Sequence, residues 1–536
     1  MTVARLVASR LADAGVEVVY GIPGEDCLGL VDAIDAHPRL TFVSTRHEGG
    51  AAMMAEAHGK LTGRMAACLG TASVGAVNLL AGVNVADHDS TPMAVLVGQV
   101  AVATQGRGSW QETDLAALFG PFCRAAVELS EPDRADHDLR RVLAAARAGR
   151  PGPVLIAVPS DRQDRPAEAT VPPRGLPLGP RPGDAAVAAA LELLAHTRRP
   201  VVIAGGGVRS AGATTELAAF ADRLAAPVLT AFRRTDLIDN RSPAYVGALS
   251  LGPTPPVRAV LAESDALIVV GTRMSEVTAQ RYRVPGPGHR VVRVDADGPG
   301  LATSWLDADV AVHAEVGAAL TALTDLLPRA ARRESPWWTS WSADRPAHLR
   351  RCAAAGAEQR AIVAIADLLD GVLPDDAVLT SDAGDFFIAA GPAIAVGGGR
   401  RYLGPTSGSM GYGIPAAIAA KRAWPERVCV ALCGDGGAMM TVQELETAAR
   451  LGLGIVVVVF DNSGFGSIRR HQDRERSRRV GTELTNPDFA ALAALFGLRG
   501  HRVGSAAEFP GVWQAVRAEP AAGHVIDVEI APDGAA

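Results

Sequence analysis

Short runs of apolar residues alternate with longer segments in which apolar residues recur at helical spacing, and this alternation continues through most of the chain. Short apolar runs are typical of buried strands, and the longer segments are typical of amphipathic helices. Strands that alternate with helices form parallel sheets covered by helices on both faces. The pattern therefore predicts an α/β protein made of doubly wound parallel sheets.

The apolar runs place the clearest strands in three groups along the chain. In the first group they lie at residues 16–20, 40–44, 66–69, 93–97 and 154–158. The second group has 200–204, 266–270 and 290–294, and the third has 428–432, 455–460 and 525–530. Each group has enough strands for a sheet of its own, so we expect three sheets.

Two segments interrupt this alternation. Residues 170–184 are rich in proline and glycine and lack apolar periodicity, which predicts a linker. Residues 328–358 are rich in arginine and alanine and contain three tryptophans, which predicts a second, partly helical connector. The predicted domains are 1–170, 185–328 and 355–536, each of ordinary domain size.

Composition narrows the class of protein. The chain has 536 residues, of which 48% are hydrophobic and 21% charged, with a net charge of −6. No basic run indicates nucleic-acid binding, and no uncharged apolar window is long enough for a membrane span. Charges at positions 5, 10 and 13 favour an amphipathic helix over a signal peptide. The six scattered cysteines contain no CxxC pair, which fits a reducing cytoplasm.

The most informative local motif follows the strand at 428–432. It reads Gly434-Asp435-Gly436-Gly437-Ala438, and Thr441 and Glu444 after it have capping-box spacing, which predicts a helix that starts just after the turn. Glycines let the backbone approach a phosphate, and a helix N-terminus offers unpaired N–H groups. The segment thus predicts a phosphate-binding turn.

The next strand, 455–460, leads into Asn462 and Gly464. Polar residues at the carboxyl ends of neighbouring strands lie where α/β sheets bind ligands. The Asp435 carboxylate, the Asn462 amide oxygen and a backbone carbonyl near Gly464 are hard oxygen ligands that suit Mg²⁺. Taken singly, Asp435 and Asn462 fit a turn aspartate and an N-capping asparagine equally well.

A second candidate lies near the N-terminus, where Arg46-His47-Glu48 precedes a helix of small residues. On its own, Glu48 could simply complement the positive end of that helix. His47 is expected to pack or to form a local hydrogen bond. The residue types alone therefore do not decide the role of Glu48.

The two motifs together resemble those of thiamine-diphosphate enzymes. A Gly-Asp-Gly followed after 25 intervening residues by Asn462 is similar to their diphosphate motif, and Arg46-His47-Glu48 resembles the activating segment of the acetohydroxyacid (acetolactate) synthase-like decarboxylase superfamily. Further segments occur in the family's order, namely 20–24, 98–100, 110–112, 205–207 and 405–413. The resemblance covers nearly the whole chain.

This resemblance implies a pyrimidine-binding domain, a middle Rossmann-like domain and a diphosphate-binding domain. It implies that thiamine diphosphate and Mg²⁺ bind, with Asp435, Asn462 and Gly464 on the metal. Glu48 would favour the imino tautomer of the cofactor's aminopyrimidine, which then deprotonates the thiazolium carbon. Met410 would support the bend of the cofactor. The implied cofactor-binding residues are Glu48, Gly408, Met410, Gly434, Asp435, Gly436, Gly437, Ala438, Asn462 and Gly464.

The same resemblance implies assembly. Family members place the glutamate domain of one subunit against the diphosphate domain of another, so Glu48 and Asp435 are expected to meet across a homodimer interface, within a dimer or a homotetramer.

Departures from the family pattern bear on the substrate. No two of the twelve histidines are adjacent, unlike the pair in pyruvate decarboxylases, and Asp385-Phe386 replaces the His-Gln pair of acetohydroxyacid synthases. Arg124 stands where those synthases have a lysine and can face an acceptor carboxylate, or it can be a surface arginine. Gln111 and Arg124 complete the predicted catalytic set, and Gln99, His88, His471 and Gln472 are weaker candidates.

The expected function is a carboligase, which decarboxylates a 2-oxo acid, with pyruvate as the favoured donor, and transfers the acyl carbanion equivalent to a second carbonyl. A 2-hydroxyacyl-CoA lyase or oxalyl-CoA decarboxylase and a flavin-linked pyruvate oxidase are the alternatives. The middle domain could hold FAD, a CoA ester or nothing, since Gly205-Gly206-Gly207 is a weak motif and Arg273 can meet a phosphate or a neighbouring carboxylate.

Overall fold

Three six-stranded sheets, each entirely parallel, form the protein in a computed structural model. The structure describes residues 1–169, 179–328, 337–338, 356–476 and 478–530. Helices cover the sheets, so the predicted fold class of three doubly wound α/β domains is confirmed. Most of the two predicted connectors lies outside the described residues.

The first sheet has the strand order β2-β1-β3-β4-β6-β5. Its strands are β1 Val18–Gly21, β2 Thr41–Ser44, β3 Ala66–Gly70, β4 Met93–Gln99, β5 Ala126–Glu128 and β6 Pro153–Pro159. Its helices are α1 Val3–Asp13, α2 Leu28–Asp35, α3 Glu48–Thr62, α4 Val74–Asp89, α5 Leu115–Phe119 and α6 Ala135–Ala145.

The middle sheet has the order β12-β11-β10-β7-β8-β9, which is the Rossmann order when each strand is numbered within the domain. Its strands are β7 Pro200–Ala204, β8 Val228–Thr230, β9 Tyr245–Ala248, β10 Ala266–Val270, β11 Arg290–Asp295 and β12 Val310–His313. Its helices are α7 Asp184–Ala195, α8 Gly206–Ser210, α9 Thr214–Leu224, α10 Pro255–Glu263, α11 Gly298–Thr303 and α12 Val316–Leu326.

The third sheet, with the order β14-β13-β15-β16-β18-β17, repeats the topology of the first. Its strands are β13 Val378–Ser381, β14 Arg401–Leu403, β15 Cys429–Gly434, β16 Ile455–Asp461, β17 Arg499–Val503 and β18 His524–Glu529. Its helices are α13 Ala357–Val372, α14 Asp385–Ala390, α15 Gly413–Ala423, α16 Asp435–Met440, α17 Glu444–Arg450, α18 Gly466–Glu475, α19 Phe489–Leu495 and α20 Phe509–Ala518.

Every strand predicted from an apolar run is present, with ends shifted by at most a few residues. The strands that were not predicted are mostly short, and one of them, β17 (Arg499–Val503), is largely polar. Their side chains are too few or too polar to produce an apolar run, because their places in the sheets are set by pairing with neighbouring strands.

The first and third domains share one hydrophobic core. Helix α3, in which seven of fifteen residues are alanine or glycine, packs on α15 of the third domain. Small side chains let these helix backbones approach closely. Gly50 on α3 shows the tight fit, because a Cβ there would lie 2.6 Å from Oε1 of Glu444. The first and third domains are therefore held as one packed unit.

A buried ionic network joins all three domains. Lys60 on α3 forms an ion pair with Asp89, and Arg234 of the middle domain donates from Nη2 to Oδ1 of Asp89 at 2.9 Å. The backbone N–H of Thr406, in the third domain, donates to the same oxygen at 3.1 Å. Since the cations lower its pKa, Asp89 stays ionised, and the network fixes the three domains relative to one another.

The cysteines and the helices bear on two expectations from composition. Four cysteines are buried, Cys123 is half-buried and Cys352 lies outside the described residues. Within those residues, no helix combines the length and apolar character that crossing a bilayer requires.

Candidate active site

The Gly434-Asp435-Gly436-Gly437 turn lies at the carboxyl end of β15, beside the end of β13, where the strand order of the third sheet reverses. Helix α16 begins at Asp435 itself. The predicted capping box is wrong: Thr441 donates from Oγ1 to the Gly411 carbonyl, and the Glu444 carboxylate accepts from the Arg46 N–H. Tertiary contacts with two distant segments thus take the side chains whose spacing predicted a local cap.

Asp435 is almost completely buried. Its Oδ2 accepts from the Gly464 N–H at 2.9 Å and from Nδ2 of Asn486 at 2.8 Å. Burial raises the pKa of this carboxyl above its ordinary value, and the hydrogen bonds oppose that rise. A cation beside Asp435 would compensate the buried negative charge.

Asn462 follows β16, the strand beside β15. Its Nδ2 donates to Oε1 of Glu358 at 2.6 Å. Because the amide nitrogen is committed to Glu358, Oδ1 is the atom with which Asn462 can meet a cation. The loop behind it requires glycine at 464, since a Cβ there would lie 2.6 Å from the Thr482 carbonyl oxygen.

Two residues of this site were missed in the sequence. Asn486 bridges Asp435 and Asp461, donating from Nδ2 to Oδ1 of Asp461 at 2.7 Å. Asp382, just after β13, is fully buried and accepts from the Gly413 N–H at 2.6 Å, while its Oδ2 has no hydrogen-bond partner. Burial raises the pKa of Asp382 to about 6. Neither residue lies in a recognisable motif, so only the fold reveals them.

The donor atoms suit a magnesium diphosphate. The described residues contain no group of three or more His, Cys, Asp or Glu side chains that could hold a metal by themselves. A cation at Asp435 would therefore be held by the Asp435 carboxylate, the Asn462 amide oxygen, a backbone carbonyl and oxygens of a bound phosphate, which is the mixed oxygen set that Mg²⁺ accepts. The glycines of the turn keep this end of α16 open to such a ligand.

Glu48 is the first residue of α3 and is buried. Its Oε2 accepts from Nδ2 of Asn78 at 3.0 Å, and its Oε1 lies 3.2 Å from where a Cβ of Gly75 would be. His47 caps the helix by accepting from the Gly49 N–H, the local bond that the sequence favours. Asn78, which the sequence analysis missed, sets the direction of the Glu48 carboxyl.

Asp435 lies in a cavity together with several other predicted residues, and Glu48 does not line that cavity. A cavity of about 410 Å³ is lined by the Asp435 turn, Asn462, Gly464, Gly408 and Met410. None of Glu48, Gln111 and Arg124 lines this cavity in the described part of the chain. We call the surroundings of Glu48 and the cavity at Asp435 the two candidate half-sites.

The other predicted catalytic residues lie in the first domain. Gln111 has a left-handed backbone (φ 64°) next to Trp110, whose side chain is 80% exposed. Arg124 forms an ion pair with Asp87, which also pairs with Arg150 at 3.2 Å. Arg124 and Arg150 therefore share one carboxylate of their own domain.

The weaker candidates are mostly engaged in local contacts. Gln472 exchanges two hydrogen bonds with the Val480 backbone, and Nδ1 of His471 contacts the Ser467 carbonyl oxygen at 2.9 Å. Gln99 donates to the Thr113 carbonyl. Arg273 donates to the His88 carbonyl at 2.7 Å. None of these contacts requires a ligand.

Family models match all three domains. The model described as thiamine pyrophosphate enzyme, N-terminal TPP binding domain, matches residues 1–118, the central-domain model matches 187–323, and the C-terminal TPP binding domain model matches 382–528. Together they cover well over half of the chain.

Two individual proteins are similar to the chain over most of its length. The chain is 32% identical over 518 residues to an acetolactate synthase large subunit of Parasynechococcus marenigrum, covering 92% of this chain and 83% of that protein. It is 34% identical over 511 residues to a Pseudomonas aeruginosa protein named "Probable 2-ketoarginine decarboxylase", covering 93% and 88%.

A solved structure shares the fold. The thiamine diphosphate-dependent 4-hydroxybenzoylformate decarboxylase of Rhodococcus jostii superposes with a TM-score of 0.85, at 24% identity, over 99% of this chain and all of that one. The chain belongs to the thiamine pyrophosphate enzymes, in the superfamily of acetolactate synthases and related decarboxylases, and is an enzyme of transferase or lyase type.

Proposed function

We propose that this enzyme decarboxylates a 2-oxo acid and joins the remaining acyl group to a second carbonyl compound. The observation that carries the proposal is the pairing of Asp435 with Asn462 at the ends of adjacent strands, with the Asn462 amide oriented by Glu358. The resemblance to acetohydroxyacid synthases favours pyruvate as the donor, although the chemistry itself requires only the 2-oxo acid group.

The chain's own residues hold the cofactor in this proposal. Asp435, Asn462 and the backbone at Gly464 take Mg²⁺, and the first turn of α16 takes the diphosphate. Gly408, which has a left-handed backbone (φ 78°) that favours glycine, and Met410 line the cavity beside it. Thiamine diphosphate, when bound, supplies the electron sink that stabilises negative charge on the former carbonyl carbon.

Glu48 acts on a proton. Its carboxyl is oriented by Asn78 and would share a proton with the ring nitrogen of an aminopyrimidine bound beside it. In the overall reaction the C1–C2 bond of the donor breaks, CO₂ leaves, and the electron pair stays on C2. That carbon then bonds to the carbonyl carbon of the acceptor, whose oxygen takes up a proton.

Two subunits would complete each site. Glu48 does not line the Asp435 cavity. The two residues lie in the first and third domains, which share one hydrophobic core. Apolar side chains remain exposed near both half-sites, including Val74 and Val77 near Glu48 and Met439 and Met440 on α16, with exposures of 41 to 61%. We infer a homodimer, or a homotetramer of such dimers, in which Glu48 of one protomer serves the Asp435 site of its partner.

Decarboxylation that ends with release of an aldehyde is the second candidate. The ion pair of Arg124 with Asp87 favours it, because Arg124 was the group expected to bind an acceptor carboxylate. One relative is also named as a decarboxylase.

The test is a product assay on the purified enzyme with thiamine diphosphate and Mg²⁺. A panel of 2-oxo acids is supplied with and without oxo-acid and aldehyde acceptors, and CO₂, aldehyde and ligated product are measured. We expect CO₂ release and an acceptor-dependent ligated product. Aldehyde as the sole product would replace ligation by simple decarboxylation, and CO₂ release from none of the donors would refute both. A visible absorption spectrum of the same sample shows whether FAD is bound.

A further inference from the structure

The cavity at the Asp435 turn extends well beyond the residues that a diphosphate needs. From Gly434–Gly437 it continues between the third domain and the middle domain, where its walls include Phe232, Leu251, Phe387 and Ile388. We call the part of the cavity lined by these four side chains the apolar arm.

Two structural features give the apolar arm a defined shape. The Phe387 ring stacks on Tyr402, with 4.9 Å between ring centroids and 9° between planes. The Arg233 guanidinium lies 5.3 Å from the Phe387 ring and 5.5 Å from the Phe232 ring. One cation thus contacts two of the aromatic walls, one from each domain, so the arm is built into the fold.

Arg233 itself is fully engaged with the third domain at its Nη atoms. It donates to Ser381 Oγ at 3.1 Å, to the Tyr402 hydroxyl at 3.2 Å and to the Asp382 carbonyl at 3.0 Å. Its Nη donors therefore bind groups at the end of β13, and the guanidinium contributes to the arm through its contacts with the two rings.

One arginine pairs with the acidic groups at the other end of the cavity. Asp385 forms an ion pair with Arg470, whose Nη1 also lies 3.8 Å from Oε2 of Glu358. Glu358 accepts from Asn462 too. Two carboxylates thus share one guanidinium at that end of the cavity, whereas a substituent in the arm itself would find four apolar walls.

The arm opens toward solvent between the two domains. Leu251 is 67% and Ile388 38% exposed, and a Cβ on Gly252 would lie 3.9 Å from Cγ2 of Ile388. An apolar group that enters here would cover both side chains.

We propose that the donor is a 2-oxo acid with a bulky apolar substituent, aromatic or branched aliphatic, which occupies the apolar arm while its 2-oxo acid group lies toward the Asp435 end. This inference rests on the proposed decarboxylation and narrows its donor, since pyruvate carries only a methyl group and would leave the arm unfilled. Burial of each additional methylene should improve kcat/KM by about fourfold.

The first experiment compares donors on the enzyme loaded with thiamine diphosphate and Mg²⁺. CO₂ release is measured for pyruvate, 4-methyl-2-oxopentanoate, phenylpyruvate, benzoylformate and 5-guanidino-2-oxopentanoate. We expect one of the three bulky apolar donors to exceed pyruvate in kcat/KM by at least about tenfold. A preference for pyruvate or for the guanidino donor would overturn the inference and leave the proposed decarboxylation intact, while turnover of no donor would overturn both.

The second experiment fills the arm. Ile388→Phe should lower the ratio of kcat/KM for the best bulky donor to that for pyruvate by about tenfold. Leu495→Phe is the matched control, because Leu495 is 84% exposed on α19 and does not line the cavity, and it should leave that ratio unchanged. Molecular mass in solution is measured for both variants. A change in assembly with an unchanged donor ratio would show that Ile388 covers a subunit contact, and would overturn the inference.

Discussion

Asn486 donates a hydrogen bond of 2.8 Å to Oδ2 of Asp435, and this bond connects two segments that are 51 residues apart. The same Nδ2 donates to Asp461, at the end of the neighbouring strand. One amide thus orients the carboxylate that we propose as a metal ligand, together with the strand end that leads to Asn462.

Removing that amide should weaken metal-dependent cofactor binding. Loss of a residue that orients a metal ligand typically weakens metal binding by about tenfold or more. Asn486→Ala should therefore raise the Kd for thiamine diphosphate and Mg²⁺ by about tenfold. Calorimetric titration measures the change. Asn84→Ala, on α4 and outside the cavity, is the control, and equal affinities for the two variants would argue against an orienting role.

Loss of the ligand itself should have a larger effect. A cofactor at a hundredfold excess over its Kd stabilises the native state by about 3 kcal/mol, so thiamine diphosphate with Mg²⁺ should raise the Tm of the unmodified enzyme by several degrees. Asp435→Ala should fold without cofactor but show little rise, and EDTA should abolish the rise in the unmodified enzyme. If mutant and EDTA-treated protein both respond like untreated protein, Asp435 is only a turn residue.

Glu48→Gln should separate catalysis from binding. The amide keeps the shape of the side chain and can still accept from Asn78, but it cannot share a proton with the aminopyrimidine. Turnover should therefore fall by about a hundredfold or more, while the cofactor-induced rise in Tm persists. Glu17→Gln, at an exposed ion pair with Arg64, controls for loss of charge. Near-normal turnover would remove Glu48 from the mechanism.

Mixed subunits should test whether the two half-sites belong to different protomers. Glu48→Gln and Asp435→Ala proteins are each expected to be nearly inactive. In a mixed dimer, one of the two sites would have both native residues, so activity should return to about half that of the unmodified dimer in the fraction of mixed dimers. Differently tagged subunits report exchange by mass. Exchange without recovered activity would mean that each site is built within one chain.

The buried Asp382 should make the stability of the apo-protein depend on pH. Its folded pKa is about 6, above the ordinary value of 3.8, so the folded state retains a proton that the unfolded state releases. The stabilisation that comes from keeping Asp382 protonated is present at low pH. It is lost as pH rises from the ordinary pKa of 3.8 to the folded pKa of about 6. Relative to Asp382→Asn, the apo-protein should lose about 2 kcal/mol of unfolding free energy between about pH 4.5 and about pH 7. Denaturant titrations at the two pH values check it, and parallel pH profiles would contradict it.

The fold class was predictable because buried strands of a parallel sheet must be apolar throughout. The run Ile455–Phe460 shows this clearly, and β16 forms there. Edge strand β17, Arg499–Val503, was not predicted because its residues are largely polar. Only its pairing with β18 gives it a place in the sheet.

The candidate site was partly predictable for a related reason. Asp435 and Asn462 each follow an apolar strand, so the local sequence alone placed them at the same edge of the sheet. Asn486 lies in a loop segment with no regular pattern, and its contact with Asp435 exists only after the chain has folded back.

The sequence by itself determined the parallel α/β architecture, the glycine turn at Asp435 and the thiamine-enzyme motifs, because these depend on residue type and spacing along short segments. The tertiary structure decided which partners those residues take. It moved Thr441 and Glu444 from a local cap to contacts with Gly411 and Arg46, and it paired Arg124 with Asp87. Such pairings join residues far apart in the chain, and their free energy depends on distance and burial, which only the folded chain defines.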